Sequence, residues 1–358
     1  MKNVGRVPII GSRFTLALVK SKLDEHRLGD AELIEVKPGE RLPLGPFEAE
    51  FIRVTHSIPD CLAVALRSDV GNVLHTGDFK FDHAPIDGEP TDVAALARLG
   101  DEGVLLLMSD STNAEVPGAI APERTVGTEL RRQFASALGR VVVTCFSSHI
   151  HRVQQVLDAA AYEGRHVALV GRSLRRNFTI AVNLGIIRVP NDVLVNIKSI
   201  DQHLDDEIVI VTTGSQGEPF SGLRRMAYGD HQNVTIHQGD TVIFSSRIVP
   251  GNELAVNDTI NRLIKTGAQV IGPDAAPVHV SGHAASDELR LMLRLTRPRF
   301  FAPIHGELRH QTTHAGIARS VGVAASNIHV LENGDAVSYT HLRAHETDSY
   351  LVCRLLLE

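Results

Sequence analysis

The chain has 358 residues, of which 43% are hydrophobic and 22% charged, and its formal net charge is −6. This hydrophobic content excludes a disordered chain, and the length predicts two domains or one domain carrying an insertion. No apolar run reaches the ~20 residues of a membrane span, and the opening MKNVGRVPII lacks the features of a signal peptide. Three cysteines make no framework of disulfides, so we expect a cytoplasmic protein.

Short β-rich runs alternate with amphipathic helical segments, which predicts an α/β protein with layered packing. The predicted strands lie at 48–55, 62–67, 72–75, 104–108, 141–146, 166–170, 208–211, 241–245, 269–271, 300–303 and 327–331. The predicted helices lie at 13–25, 123–138, 151–162, 252–265 and 286–295. Proline- and glycine-containing segments at 117–122 and 271–277 predict breaks. The segment between the two breaks is therefore a candidate inserted domain.

The last stretch of the chain, from about Tyr339, does not continue this alternation. It contains His341 and His345, which are spaced to share one face of a helix. No third ligand lies beside them, so we expect an exposed, poorly ordered tail rather than a metal site.

Histidine is frequent in this chain, with 18 residues, whereas aromatic residues make up only 4%. Histidine is the commonest metal ligand in proteins, and scarce aromatic residues argue against base stacking as a general mode of binding. Ionisable residues follow four apolar runs, and they comprise His56, Asp78, the segment 279–283 and His305. Loops at strand ends converge on one edge of a layered α/β protein, which predicts a joint site. Taken singly, a histidine after a strand is more often structural, and a TGD turn is common.

Six ordered motifs resemble those of the ribonuclease J family of metallo-β-lactamase/β-CASP nucleases: VTHSIPD, TGDFKFD, SDSTNA, FSSHIHR, VHVSGHA and PIHGE. The resemblance covers nearly all of residues 7–337. It implies an α/β fold in which a metallo-β-lactamase core, an αββα sandwich, is interrupted by an inserted α/β β-CASP domain. The implied boundaries are 1–121 for the first part of the core, 122–275 for the β-CASP domain, 276–338 for the return segment of the core and 339–358 for an atypical tail.

The resemblance also implies a metal centre. His56, Asp78 and His305 correspond to metal ligands of the family, with Asp78 bridging two ions. Imidazole and carboxylate groups suit Zn²⁺, and we expect two zinc ions per intact site, with Mn²⁺ or Mg²⁺ as alternatives. Water activated by such ions can attack phosphorus near neutral pH.

Three residues are implied to be catalytic, namely Asp78, Asp110 and His283. His283 resembles the histidine that helps the leaving oxygen depart, and Asp110 resembles the acidic residue that orients it. An alternative interpretation of Asp110 is a turn or helix cap, because the run Asp-Ser-Thr-Asn favours both.

The resemblance implies a pocket for a 5′ nucleotide. Its implied substrate-binding residues are Ser148, His149, His279, Val280, Ser281, Gly282 and His283. His149 stands where the family usually has asparagine. An RNA path lined by phosphate-contacting arginines is also a hypothesis, with the candidates Arg152, Arg172, Arg175 and Arg176.

The richest metal motif of the family, His-x-His-x-Asp-His, does not occur in this sequence. We also expect the family's extra C-terminal domain to be missing. The sequence therefore predicts a fragment, truncated at both ends, whose activity is impaired.

The predicted function is that of a metal-dependent ribonuclease in RNA maturation and decay, including rRNA processing and mRNA decay. It implies 5′-to-3′ exonuclease action together with internal cleavage, RNA with a 5′-monophosphate end as partner, a homo-oligomer (dimer or tetramer) and no membrane. Two alternatives stay open. One is a DNA-directed β-CASP nuclease, and the other is a non-catalytic RNA-binding or assembly subunit.

Overall fold

The structure is a computed structural model that describes residues 7–29, 31–339 and 351–353. Its strands are β1 (Ile9–Gly11), β2 (Leu33–Glu35), β3 (Arg41–Leu44), β4 (Phe47–Arg53), β5 (Leu62–Arg67), β6 (Asn72–His75), β7 (Val104–Asp110), β8 (Val141–Thr144), β9 (His166–Val170), β10 (Ile208–Thr212), β11 (Thr241–Phe244), β12 (Gln269–Ile271), β13 (Phe300–Ile304), β14 (Val337–Tyr339) and β15 (Leu351–Cys353). Its α-helices are α1 (Arg13–Glu25), α2 (Val93–Glu102), α3 (Arg124–Ser136), α4 (Ile150–Tyr162), α5 (Arg172–Asn183), α6 (Gly222–Tyr228), α7 (Glu253–Lys265), α8 (Ser286–Thr296) and α9 (Leu308–Ser320).

A five-stranded parallel sheet is formed by the middle of the chain, in the order β12-β11-β8-β10-β9. Its central strands β8 and β10 are buried along their whole length. Val141 and Val143 pack with α3, α4 and α5, whereas Val142 packs with α6 and α7 on the opposite face. Strands covered on both faces carry apolar residues on both sides, which is why β8 and β10 show no polar alternation before their final threonines.

A six-stranded mixed sheet has the order β13-β7-β6-β5-β4-β3. Strands β3 to β6 form an antiparallel meander, and β6, β7 and β13 run parallel to one another. Helices α2, α8 and α9 cover one face, where Leu74, Leu107 and Phe301 belong to one core with Leu96 and Met292. Strand β13 comes almost two hundred positions after β7, yet it pairs with β7 in register, with Ile304 opposite Asp110.

The opposite face of the six-stranded sheet is only partly covered. Val64 and Leu66 on β5 and Val73 and Leu106 on β6 and β7 are partly buried there. The small parallel pair of β1 and β2 packs over part of this face through Ile10 and Ile34. This sheet therefore has one fully packed side and a second side that combines buried residues, such as Phe51 and Met108, with partly exposed ones.

Most predicted elements agree with the structure. The bounds of β5, β6, β9, β12 and α1 are as predicted, and the α/β class is confirmed. The predicted strand at 327–331 is wrong, because Ala325–Asn327 forms a 3₁₀ turn and only Ile328 bridges to Phe301. Sequence patterns did not predict β1, β2, β3, β14, β15, α2, α5, α6 or α9.

The predicted tail lies mostly outside the described residues, and His341 and His345 lie there too. The described parts of β14 and β15 pair antiparallel with each other. None of the helices in the described ranges combines the length and apolar character that a bilayer span requires.

Candidate active site

Four ionisable side chains meet at the carboxyl end of the six-stranded sheet. The ligand atoms of Asp78, Asp110, His283 and His305 all lie within 4.8 Å of one another. Asp78 follows β6, Asp110 ends β7 and His305 follows β13, and these three strands are parallel neighbours. Their carboxyl ends therefore open at the same edge of the sheet, as the sequence analysis expected of such loops.

His56 is held by the backbone of the loop that carries His283. Its Nδ1 lies 2.7 Å from the carbonyl oxygen of Gly282. A carbonyl can only accept, so Nδ1 carries the hydrogen and Nε2 presents a lone pair. A side chain at position 282 is impossible without movement, because its Cβ would lie 2.6 Å from the His56 ring. Burial and the charge of His283 lower the pKa of His56, which favours the neutral ring.

Asp78 lies between two histidine rings. Its Oδ2 is 3.8 Å from Nε2 of His56, and its Oδ1 is 3.7 Å from Nε2 of His305. Both distances are too long for hydrogen bonds. On the His56 side, two electron-pair donors face each other, an arrangement that a cation between them would stabilise. The donor set of imidazole nitrogens and carboxylate oxygens fits a divalent ion such as Zn²⁺ or Mn²⁺.

Asp110 and His283 form a tight pair beside this cluster. The Nδ1–H of His283 donates to Oδ2 of Asp110 at 2.7 Å, and Thr112 donates its backbone N–H and its hydroxyl to Oδ1 at 3.0 and 2.7 Å. Burial alone would raise the pKa of Asp110, but these donors and the charge of His283 lower it to about 2. Burial would lower the pKa of His283, but Asp110 outweighs it, and the pKa of His283 is raised. Because Nδ1 is bound to Asp110, Nε2 is the nitrogen of His283 that can interact with a further partner.

His305 adopts an unusual backbone conformation. Its φ is 58°, in the left-handed region that disfavours residues with a side chain, and Gly306 follows with φ 80°. These two residues connect β13 to α9 and leave the His305 side chain half-exposed beside Asp78. Two successive left-handed residues are therefore part of how the PIHGE motif presents its histidine.

The predicted nucleotide pocket is braced by a residue that the sequence analysis did not single out. Asn113 donates from Nδ2 to Ser281 Oγ and to the carbonyl oxygen of His283, both at 2.8 Å, and Arg247 donates to its Oδ1 at 3.3 Å. The sequence signal that could have identified Asn113 as a site residue is its position in the SDSTNA motif. Arg247 lies in none of the six motifs, so no such signal pointed to it.

The His149 side chain is buried, and His279 is partly buried beside it, with the two ring centroids 6.4 Å apart. His149 is 2% exposed, and its Nε2 lies 3.2 Å from Glu123. Burial lowers the pKa of His149 to about 4 and that of His279 to about 3. Val280 is buried in the core of the five-stranded sheet, and Ser148 is partly buried in the turn just before His149. The ring of His149 is therefore buried. It offers no exposed surface for its predicted contact with a nucleotide.

The hypothesis that Arg152 lines an RNA path is wrong. Arg152 is 0% exposed, and it donates to Glu123 at 2.6 and 3.1 Å and to the carbonyl oxygen of Val278 at 2.9 Å. It also donates to Ser245. A fully buried guanidinium cannot contact a phosphate outside. Its contacts tie α4 to the segment that leads into His279.

Two domain families match this chain. Residues 138–263 match the family described as Ribonuclease J, beta-CASP domain, and residues 274–329 match the Zn-dependent metallo-hydrolase RNA specificity domain. A crystal structure described as a protein of unknown function from Enterococcus faecalis aligns with a TM-score of 0.62 at 14% identity, over 84% of this chain and 70% of that one. The matches and the fold define a metallo-β-lactamase/β-CASP protein.

Curated relatives narrow the family further. Ribonuclease J of Mycolicibacterium smegmatis is 45% identical over 98% of this chain and 63% of its own length. Ribonuclease J of Synechocystis is 45% identical over 93% of this chain and 53% of its own length, and that of Helicobacter pylori strain 26695 is 43% identical over 92% and 48%. This chain belongs to the ribonuclease J family, and it spans from about half to under two thirds of the length of these relatives.

Proposed function

We propose that this chain carries a metal-dependent ribonuclease site that hydrolyses phosphodiester bonds in RNA. The observation that carries the proposal is the position of Asp78, whose two oxygens face His56 and His305 without hydrogen bonds, next to the Asp110–His283 pair. A cation site and a proton-transferring histidine are what phosphodiester hydrolysis needs. The names of the relatives supply the substrate class.

His56, Asp78 and His305 would hold the metal, and the Asp78 carboxylate can share its oxygens between the two histidine sides. We propose zinc, two ions in a complete site, with Mn²⁺ or Mg²⁺ as alternatives. When bound, such ions supply an activated water and offset the charge that develops on the phosphoryl oxygens. Asp78 is thereby also a catalytic residue in this proposal.

His283 is proposed to protonate the leaving oxygen through Nε2. Its raised pKa favours the imidazolium form, which is the form that can give up a proton. Asp110 holds Nδ1–H and so fixes the direction in which Nε2 points. The phosphate at a 5′ end would be bound by Ser281 and Gly282, with Ser148 and the 279–283 segment around them.

The finer parts of the proposal concern the whole protein. They are 5′-to-3′ exonuclease action together with internal cleavage, a preference for 5′-monophosphate ends, assembly as a dimer or tetramer, and a place in the cytoplasm. We keep the boundaries 1–121, 122–275, 276–338 and 339–358 as a proposed division of the chain. Support for a 5′ preference comes from the adjacency of Ser281 and His283. A 5′ phosphate bound at Ser281 would fix which phosphodiester bond lies next to His283.

The test uses three labelled substrates of one sequence: 5′-monophosphorylated RNA, 5′-triphosphorylated RNA and single-stranded DNA. We expect the first to be degraded to 5′-phosphate products when Zn²⁺ or Mn²⁺ is supplied, and not in EDTA. His283→Ala should abolish cleavage, whereas the control His26→Ala, which changes an exposed histidine, should not. Degradation of the DNA alone, or cleavage that His283→Ala leaves intact, would contradict the proposal.

A second candidate is a non-catalytic RNA-binding or assembly subunit. It is favoured by the small number of ligands proposed here, because His56, Asp78 and His305 are fewer than two complete zinc shells need. This candidate predicts RNA binding without cleavage and less than one tightly bound zinc ion per chain. Elemental analysis of the purified chain after buffer exchange separates the two candidates.

A further inference from the structure

A second cavity lies at the carboxyl edge of the five-stranded sheet. It has a volume of about 810 Å³ and is formed by the loops that follow β8, β9 and β10, together with α1. Loops at this edge of a parallel sheet commonly bind ligands. None of the residues proposed above to hold metal or transfer protons lines this cavity.

Two exposed phenylalanines line the cavity. Phe220 is 93% exposed and Phe146 is 37% exposed. A side chain as exposed as that of Phe220 contributes almost no burial to folding, so packing does not explain a phenylalanine there. The chain has only 12 phenylalanines and no tryptophan, which makes two exposed rings at one cavity a concentrated aromatic surface.

Basic side chains surround these rings. Lys22, Arg172 and Arg176 line the cavity together with Glu25 and Glu218. Glu25 pairs with both Lys22 and Arg176, so these two cations are already compensated. Arg172 is exposed, and in the described part of the chain it forms no ion pair. Its guanidinium therefore remains available to a phosphate at the start of α5.

The chain connects this cavity to the proposed nucleotide pocket within two residues. Phe146 and Ser147 line the cavity, and the next residue, Ser148, belongs to the proposed pocket. A strand of RNA held at Ser148 could thus continue over Phe146 toward Phe220. Aromatic faces beside a basic groove are the usual means of holding single-stranded nucleic acid without reading its sequence.

We propose that Phe220, Phe146 and Arg172 form a base-stacking subsite for single-stranded RNA. The subsite rests on the proposed ribonuclease function and adds to it a binding surface away from the cleaved bond. It takes RNA of any sequence, because every base offers a flat face. Phe220 supplies the outer stacking surface and Arg172 contacts the backbone phosphate.

The test is fluorescence anisotropy with a labelled 12-nucleotide oligouridylate, measured in EDTA so that no cleavage occurs. We expect Phe220→Ala to raise Kd at least about fivefold, because a stacked base contributes of that order, and Phe220→Trp to retain binding. The matched control is Tyr162→Ala. Tyr162 is also exposed, at 72%, but it lines a different cavity and is already covered by Arg131.

A second readout follows the charge. Arg172→Ala should reduce the slope of log Kd against log salt by about 0.7, the value for one phosphate contact on a single strand. If the unmodified chain binds the oligonucleotide and Phe220→Ala binds it equally well, the subsite is wrong and the aromatic surface serves another partner. If the unmodified chain binds no RNA, the proposed function itself fails, which is a distinct result.

Discussion

Two clusters of charged residues in this protein, one around Arg152 and one around Asp78, are built in opposite ways. The charge of Arg152 is compensated within the chain, since Glu123 accepts two hydrogen bonds from its guanidinium. Around Asp78, both carboxylate oxygens face histidine nitrogens at 3.7 and 3.8 Å without hydrogen bonds. The Arg152–Glu123 pair therefore needs no further partner, whereas a cation would stabilise the donors around Asp78.

This difference predicts that the Arg152 region contributes mainly to stability and the Asp78 region mainly to function. A buried ion pair that loses one member leaves an uncompensated charge in the interior, and the fold loses stability. A partly exposed cluster of electron-pair donors without a cation lowers the stability of the folded chain. Removing one donor therefore affects cation binding more than folding. The two regions therefore predict opposite responses to mutation.

The largest effect is expected for Arg152→Leu. The change leaves the Glu123 carboxylate buried without its main partner, and we expect a loss of about 3–5 kcal/mol in the free energy of unfolding. Urea denaturation measures it. The control is Arg290→Leu, because Arg290 also pairs with a carboxylate, Asp287 at 2.6 Å, but with both side chains exposed, where the loss should be about 1 kcal/mol or less. Equal losses for the two variants would contradict the distinction.

Gly282→Ala comes next. The added Cβ would lie 2.6 Å from the His56 ring, so the ring must move and its bond to the residue 282 carbonyl is disturbed. We expect metal affinity to fall about 10- to 100-fold, as for other losses of a partner that orients a ligand. A zinc titration against a chelating indicator measures it. Gly272→Ala is the control, because nothing lies within 4 Å of a Cβ there.

A pH effect on stability follows from buried histidines. Burial lowers the pKa of His314 to about 3 and that of His149 to about 4, whereas an unfolded histidine titrates near 6.5. The unfolded state therefore takes up protons first, and stability is lost as the pH falls from about 6.5 toward 4. Each histidine contributes a slope of about 1.4 kcal/mol per pH unit.

His314→Gln tests this linkage. Between pH 6 and 4, the variant should take up about one proton fewer on unfolding, and its unfolding free energy should depend less steeply on pH. This holds whatever the effect of the substitution on stability at pH 7. His26→Gln, at an exposed position, should leave the slope unchanged. A slope that His314→Gln does not alter would mean that His314 is protonated in the folded chain.

The smallest change in stability is expected for Asp78→Asn. In EDTA, the free energy of unfolding should change by less than about 0.5 kcal/mol or rise slightly, because no internal partner of Asp78 is lost. Zinc at about 100 times its Kd should stabilise the unmodified chain by about 2.7 kcal/mol and the variant hardly at all. Thermal denaturation with and without zinc measures both. A large loss in EDTA would make Asp78 a structural residue.

Strands with a clear apolar run were predicted well from the sequence. β5 and β9, for example, have the predicted bounds because apolar runs between turn residues have few other solutions. The short strands β1 and β2 were not predicted, because three half-buried residues carry too weak a pattern. The 3₁₀ turn at Ala325–Asn327 shows the same limit, since an apolar run after it resembles a strand without having a partner along its length.

For the site, the motifs indicated which residues come together but not which of them are buried. Asp78, Asp110, His283 and His305 were predicted from separate motifs, and the structure places them together. Arg152 carries the same charge as the exposed Arg172, so the sequence could not distinguish an internal ion pair from a phosphate contact. The distinction depends on whether a carboxylate lies opposite, and Glu123 is 29 positions away along the chain.

The return of β13 to the edge of β7 has a consequence for synthesis. The Asp110–His283 contact joins residues 173 positions apart, and His56 is held by a carbonyl 226 positions further on. A nascent chain folds from its N-terminus as it leaves the ribosome. The ribosome must therefore add His305, just after β13, before the four side chains of the candidate site can come together.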